Sequence, residues 1–393
     1  MMKKVYLDSA STTYVSNQVL QEMLPVFGEV YGNSSSLHSF GRDALNLLDD
    51  ARAKIASTIG AKANEIYFTS GGTEANNWAI LGLARANQDK GKHIITSSIE
   101  HSSILDACKV LEKEGFEVTY LPVDKNGSVK LEALLHAMRR DTILVSVMAA
   151  NNEVGTIQNL NAIARSVQER GIIFHTDCVS AYGNMNLDVS KLPIDSMSLS
   201  SHKIYGPKGI GALYVRKGVK IESLIVGGNQ EYGKRAGTTN VAGAVGFAKA
   251  CELATKDITL NAQRARKLRD YFTNKVMDRI ENVHLNGHLI QRLPNMVNLS
   301  FEFCERESLL LMLDMKGIAV STGSACTSGS LLPSHVLRAM GIPNELSTTA
   351  LRFSLPKNIT KEDIDYVVDE LEKAVKKLRE ISPLNKSVVK GVK

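Results

Sequence analysis

The chain has 393 residues, 44% of them hydrophobic, enough to bury one large core and a smaller second one. Its 47 basic and 41 acidic residues leave a formal net charge of +6, modest for this length. Part of the excess sits in a terminal run with Lys386, Lys390 and Lys393, which reads as a solvated tail rather than a nucleic-acid footprint. Cys108, Cys178, Cys251, Cys304 and Cys326 are irregularly spaced without a CxxC pair, which argues against a disulfide framework or zinc site, and no metal is expected. No apolar run approaches about 18 residues and no leader-like segment opens the chain, so a cytoplasmic protein without a membrane span is expected.

In chain order, the first chemical signal follows the short alternating run Ile66 to Thr69, a predicted strand. Ser70, Gly71, Gly72, Thr73, Glu74, Ala75 and Asn76 then turn into the helical pattern Trp78, Ile80, Leu81, Leu83. Glycines let backbone approach an anion, helix-start N–H groups favour phosphate charge, and the Thr73 hydroxyl can add to them. The same segment also reads as a capped strand-to-helix turn. Next, the apolar run Lys92 to Ser97 is followed closely by His101, an imidazole able to stack on a ring and relay protons near neutral pH. The predicted strand Thr142 to Met148 ends in a turn with Asn151, Asn152, Glu153 and Gly155, where an amide can donate to a ligand oxygen or simply close the turn.

Gly171 to Thr176 reads as a buried parallel strand with Asp177 at its carboxyl end, where open α/β sheets bind ligands. A carboxylate there requires a partner, and a protonated pyridine nitrogen is one. The apolar run Ile194 to Leu199 closes on Ser200, Ser201, His202 and Lys203, then a turn with Gly206, Pro207, Gly209 and Gly211. A lysine at such a strand end is placed to condense with an aldehyde cofactor. With the phosphate cradle and Asp177, the cofactor read from these residues is pyridoxal phosphate.

Strand-like and helical runs alternate from about residue 60 to 215, as in a mostly parallel sheet covered on both faces. Beyond it come an amphipathic stretch Leu260 to Ile280, a strand Met296 to Phe301, a helix Glu307 to Met315 and a strand Leu351 to Leu355. From this last strand projects Arg352, whose fork suits a carboxylate. Between them lies Gly317 to Ser334, rich in small and hydroxyl residues around Cys326, a setting for a reachable nucleophile rather than a core cysteine. Thr360 and Asp363 form a capping-box-like start for a final helix with Ile364, Val367, Val368, Leu371, Val375 and Leu378 on one face.

These segments, with Asp8 to Thr13, Tyr31 to Asn33, Gly227 to Thr238 and Arg352 to Ser354, resemble the cysteine desulfurases, in that family's order and over nearly the whole chain. The resemblance implies the α/β pyridoxal-phosphate-dependent transferase fold of the aspartate-aminotransferase type: a large domain over residues 16–256, and a small α+β domain from residues 1–15 and 257–393 carrying the cysteine loop. It implies Lys203 as the cofactor-bearing lysine, His101 as the stacked imidazole and Asp177 as the partner of the ring nitrogen. Gly72, Thr73, Ser200 and His202 would hold the phosphate, with Thr238 reaching the phosphate of a second subunit, hence a homodimer. Asn33, Asn152 and Arg352 would hold the substrate carboxylate, Asn152 also touching the cofactor. Cys326 would become a persulfide, and is also a candidate transient iron–sulfur ligand. The activity implied is conversion of L-cysteine to L-alanine, with sulfur passed to an iron–sulfur scaffold protein or a tRNA-thiolation acceptor.

Three positions depart from that pattern. Ser180 stands where the family usually has Gln beside the cofactor's phenolic oxygen, and is shorter by roughly two heavy atoms. Ser9 to Thr13 and Asn33 to Ser35 also differ from the usual Asn-Ala-Ala-Thr-Thr and Asn-Pro-Ser. Two other readings stay open from the residues: a different pyridoxal-phosphate lyase or transaminase in which Cys326 is incidental, and a weakly catalytic sulfur-relay scaffold.

Overall fold

A computed structural model describes residues 3–322 and 333–383; Cys326 and the basic terminal lysines lie outside them. Twelve strands are present among the described residues: β1 (Val5–Tyr6), β2 (Ile66–Thr69), β3 (His93–Ser97), β4 (Glu117–Leu121), β5 (Thr142–Ser146), β6 (Ile173–Asp177), β7 (Ser196–Ser200), β8 (Gly211–Val215), β9 (Val283–Asn286), β10 (Met296–Phe301), β11 (Ile318–Ala319) and β12 (Ala350–Ser354). Seven form one sheet in the order β2-β8-β7-β6-β5-β3-β4. All its pairings are parallel except those of β8, antiparallel to both β7 and β2. The reversal has a local cause. The turn Tyr205 to Ile210 is too short for a crossover helix, so the chain must return antiparallel.

Strands β3, β5, β7 and β8 are buried at every position, as expected where helices cover both faces. The core beneath holds Phe174, Tyr182, Tyr214 and Phe247. A separate cluster unites Val5 and Leu7 with Phe272, Phe301, Phe353 and Val367, so the first strand packs with the last third of the chain. Its framework is the antiparallel sheet β12-β10-β9, the parallel pair β1–β11 and the helices Ile258–Arg279, Arg306–Asp314 and Lys361–Ile381. The last of these begins at the Thr360/Asp363 capping box. No described helix is long and apolar enough to cross a membrane.

The two histidines inside the large sheet, His93 and His175, are paired across strands. His175 on β6 bridges Ser146 Oγ (2.9 Å) and Ser198 Oγ (3.0 Å) on the flanking strands, and complete burial pushes its pKa down to about 3. The folded protein therefore excludes a proton that the unfolded chain accepts below about pH 6.5. A depressed histidine contributes stability that is fully present above pH 6.5 and lost as pH falls from there toward 3. Between pH 7 and pH 5 the loss from this group is expected to be about 2 kcal/mol. Urea unfolding of the parent and of His175→Gln at both pH values checks it: the variant's pH dependence should be smaller by that amount. Equal slopes would show that His175 takes up no excess proton on unfolding.

Candidate active site

The carboxyl ends of β3, β5, β6 and β7 all open on one side of the large sheet, and each delivers a polar group there. A cavity of about 300 Å³ collects Gly72, Thr73, His101, Asn152, Asp177, Ser180, Ser200, His202, Lys203 and Arg352. Ten of the predicted positions thus meet around one space. Two do not: Asn33 is exposed and bonds its own turn, accepting from Ser35 N. Thr238 is also exposed and lines a hollow of about 130 Å³ on the far side of the β2 turn, with Ser70, Glu231 and Arg235. Cys326 lies outside the described residues.

Asp177 is the last residue of β6 rather than the one after it. One carboxylate oxygen accepts from Val179 N (2.8 Å), the other from Asn76 Nδ2 (2.7 Å). That amide also donates to Ser103 Oγ (2.9 Å). Asn76 belongs to the helix Gly72–Asn77, which runs on through a π turn, Trp78–Gly82, to Leu83–Ala86. The sequence pattern assigns it no role, although a signal exists: an asparagine at the buried 76, 80, 83 spacing of an apolar face calls for a polar partner.

Lys203 lies in the 3₁₀ turn Ser201–Lys203 directly after β7. Its ammonium donates to the carbonyls of Ala10 and Ser11, the latter at 2.8 Å. The neighbouring Thr13 Oγ1 donates to His202 O (2.9 Å), and Thr12 Oγ1 pairs with His202 Nδ1 (3.1 Å). The amino-terminal segment is thus stitched across the lysine turn. Burial pulls His202 down to about 4, reinforced by Lys203 and Lys208, so its ring is a neutral hydrogen-bonding group.

His101 caps the helix Ser102–Lys113, its Nδ1 accepting from Ser103 N (3.2 Å) and meeting Ser103 Oγ at 2.8 Å. Burial keeps its pKa below the ordinary value, with Asp177 opposing and Lys203 and His335 reinforcing the shift. With Nδ1 accepting from Ser103 N, the neutral form of the ring carries its proton on Nε2.

Arg352 is nearly buried on β12. Nη2 donates to Asp8 Oδ1 (2.8 Å) and Ser11 Oγ (2.6 Å), and Nη1 to Asn152 O (2.9 Å). Its Nε is buried without a partner among the described residues. A positive fork so held, with donors at Nε and Nη1 unspent among the described residues, suits an anionic group entering the cavity.

The residues present fit pyridoxal phosphate. Ser200 Oγ is buried without a partner among the described residues and lines the cavity, an orphaned hydroxyl that a phosphate oxygen would satisfy. At Gly72 a Cβ would lie 2.7 Å from Val179 Cγ2, so only glycine keeps this wall open. At Gly211 a Cβ would lie 2.8 Å from the Gly71 backbone, so β8 presses directly on the same turn.

The family model for class V aminotransferases matches residues 5–367. The chain is 52% identical over 383 residues to a cysteine desulfurase IscS of Dictyoglomus turgidum, covering 98% of this chain and 97% of that relative. A solved NifS-like protein superposes with a TM-score of 0.90 at 39% identity, covering 95% of this chain and 100% of that one. SspA, solved in complex with cysteine, superposes with a TM-score of 0.80 at 36% identity, covering 90% and 99%. The chain belongs to the class V aminotransferase family. Its fold is the pyridoxal-phosphate-dependent transferase fold expected from the sequence, and the resemblance to cysteine desulfurases is borne out.

Proposed function

We propose that this protein is a pyridoxal-phosphate-dependent cysteine desulfurase that converts L-cysteine to L-alanine and retains the sulfur on Cys326 as a persulfide. The observation that carries the reading is the meeting of Lys203, Asp177, His101 and Arg352 around one cavity at the strand ends. A desulfurase relative at 52% identity and a related structure holding cysteine support the substrate.

Bound there, pyridoxal phosphate would supply an aldehyde for the amino group and a ring that withdraws electrons from the bond being broken. Lys203 carries the amine that attaches it. Asp177, aimed by Asn76 and Val179, would hold a proton at the ring nitrogen, and His101 would lie beside the ring and move protons from Nε2. Ser200, His202, Gly72 and Thr73 receive the phosphate. Arg352 and Asn152 orient the substrate carboxylate, and Ser180 lies at the position of the family's glutamine. Asn33 and Thr238, outside this chain's cavity, are assigned to a homodimer in which a second copy brings them to bear. The exposed apolar side chains Leu24, Phe27, Tyr31, Leu37 and Phe40 support such a contact. We assign residues 16–256 to a large domain and residues 1–15 and 257–393 to a small one. The sulfur acceptor is an iron–sulfur scaffold or tRNA-thiolation protein, in the cytoplasm.

Incubation of the purified protein with L-cysteine and an acceptor thiol is expected to release alanine and sulfide in equal amounts. Pyruvate and ammonia in place of alanine would instead indicate a lyase that leaves Cys326 idle.

A further inference from the structure

The turn read as the phosphate cradle is gripped from behind by two carboxylates. Glu74 Oε2 accepts from Ser70 N (2.8 Å), and Glu231 Oε2 accepts from Phe68 N (2.8 Å) on β2. Each acid is clamped by an arginine fork: Arg235 Nε and Nη2 reach Glu74 at 2.8 and 3.1 Å, and Arg52 Nη1 and Nη2 reach Glu231 at 2.6 and 2.9 Å. The Arg52–Glu231 pair is nearly dry, with side chains 5% and 2% exposed.

The clamp holds an unfavourable backbone. Glu231 (φ 47°) and Tyr232 (φ 58°) are both left-handed, a conformation that non-glycine residues adopt only when their surroundings enforce it. Here Glu231 is fixed by its ion pair, and Tyr232 packs its ring 5.3 Å from the Arg52 guanidinium. The strained pair turns the chain so that Arg235 arrives at Glu74.

Glu74 creates an electrostatic conflict. Its carboxylate is needed to hold Ser70 N, yet it sits one residue from Thr73 and two from Gly72, both of which line the cavity. Unneutralised, it would repel a phosphate dianion held there. We infer that Arg235 is a positioning residue that cancels the Glu74 charge behind the cradle, and that the Arg52–Glu231 clamp exists to deliver it, so that this loop sets affinity for the phosphate group of the cofactor. The inference rests on the phosphate reading of the cradle given above.

The test compares pyridoxal phosphate with pyridoxal, which lacks the phosphate, as ligands of the full-length protein freed of cofactor, with dissociation constants followed by absorbance. Arg235→Gln should weaken pyridoxal phosphate about tenfold and leave pyridoxal unchanged. Glu74→Gln should tighten pyridoxal phosphate several-fold, and the double variant should return close to the parent, as opposite charge effects on one phosphate combine. Arg235→Lys should retain most of the affinity. Equal weakening of both ligands by Arg235→Gln would reduce the pair to a structural brace and overturn the inference. Should Arg235→Gln fail to fold, an unchanged pyridoxal phosphate affinity in Glu74→Gln would overturn it as well. A parent that binds both ligands equally would overturn the phosphate reading itself.

Discussion

Lys203→Ala is expected to lower alanine formation from L-cysteine by about 10³-fold or more, because it removes both the attachment point of the cofactor and the only amine among the residues lining the cavity. The surrounding scaffold should survive. The lysine's ammonium donates to the carbonyls of Ala10 and Ser11, which can turn to water in the enlarged space, and the stitching of Thr12 and Thr13 to His202 does not involve its side chain. Affinity for the phosphate should persist in part, since Ser200, His202, Gly72 and Thr73 are untouched. Lys203→Arg should fail as fully as alanine, because a guanidinium stays protonated and cannot act as an amine nucleophile. Borohydride treatment followed by peptide mass measurement checks the assignment: the parent should retain the cofactor on the peptide bearing Lys203, and neither variant should retain it anywhere. A reducible link surviving in Lys203→Ala would move the attachment point to another lysine.

The parts of this site that were legible in the sequence are those whose chemistry is local. A strand, a turn and a polar residue near the strand's carboxyl end occupy fewer than a dozen residues, so pattern could put Asp177, His101 and Lys203 together at one sheet edge. Strand and helix ends shifted by a residue or two, as with Asp177 inside β6 and the helix Ile258–Arg279 against an expected start at Leu260. What pattern could not supply was pairing at long range. Asp8 and Arg352 meet across 344 positions, Lys203 and Ala10 across 193, Arg52 and Glu231 across 179. Nothing in either member's neighbourhood encodes such a contact, because it follows from how the layers pack. Asn76 illustrates the intermediate case: its burial was implied by helical spacing, but the acceptor it found, Asp177, required the fold.

The cysteines sharpen the assignment of the residue that carries the persulfide. Cys108, Cys178, Cys251 and Cys304 are all buried among the described residues. Burial raises every one of these thiols, Cys108 to about 12 and Cys178 and Cys251 further still. For Cys178 the adjacent Asp177 charge adds to the effect. Each is therefore a protonated, inaccessible side chain near pH 7, and a thiol of that kind is neither a nucleophile nor able to hand sulfur to an acceptor. Cys326, in its stretch of small and hydroxyl residues, is the remaining candidate. Cys326→Ala is expected to retain the cofactor and to change its absorbance on addition of L-cysteine, because Lys203, Asp177 and Arg352 are intact, while sulfide and alanine release fall by about 10²-fold or more. Cys326→Ser should fail equally, since a serine hydroxyl is un-ionised near neutral pH and forms no persulfide. In the parent, brief exposure to L-cysteine followed by mass spectrometry should place one added sulfur on the peptide bearing Cys326. Added sulfur on the Cys178 peptide would require the wall beside Asp177 to open during the reaction and would transfer the nucleophile's role to Cys178, whereas full turnover by Cys326→Ala would remove Cys326 from that role.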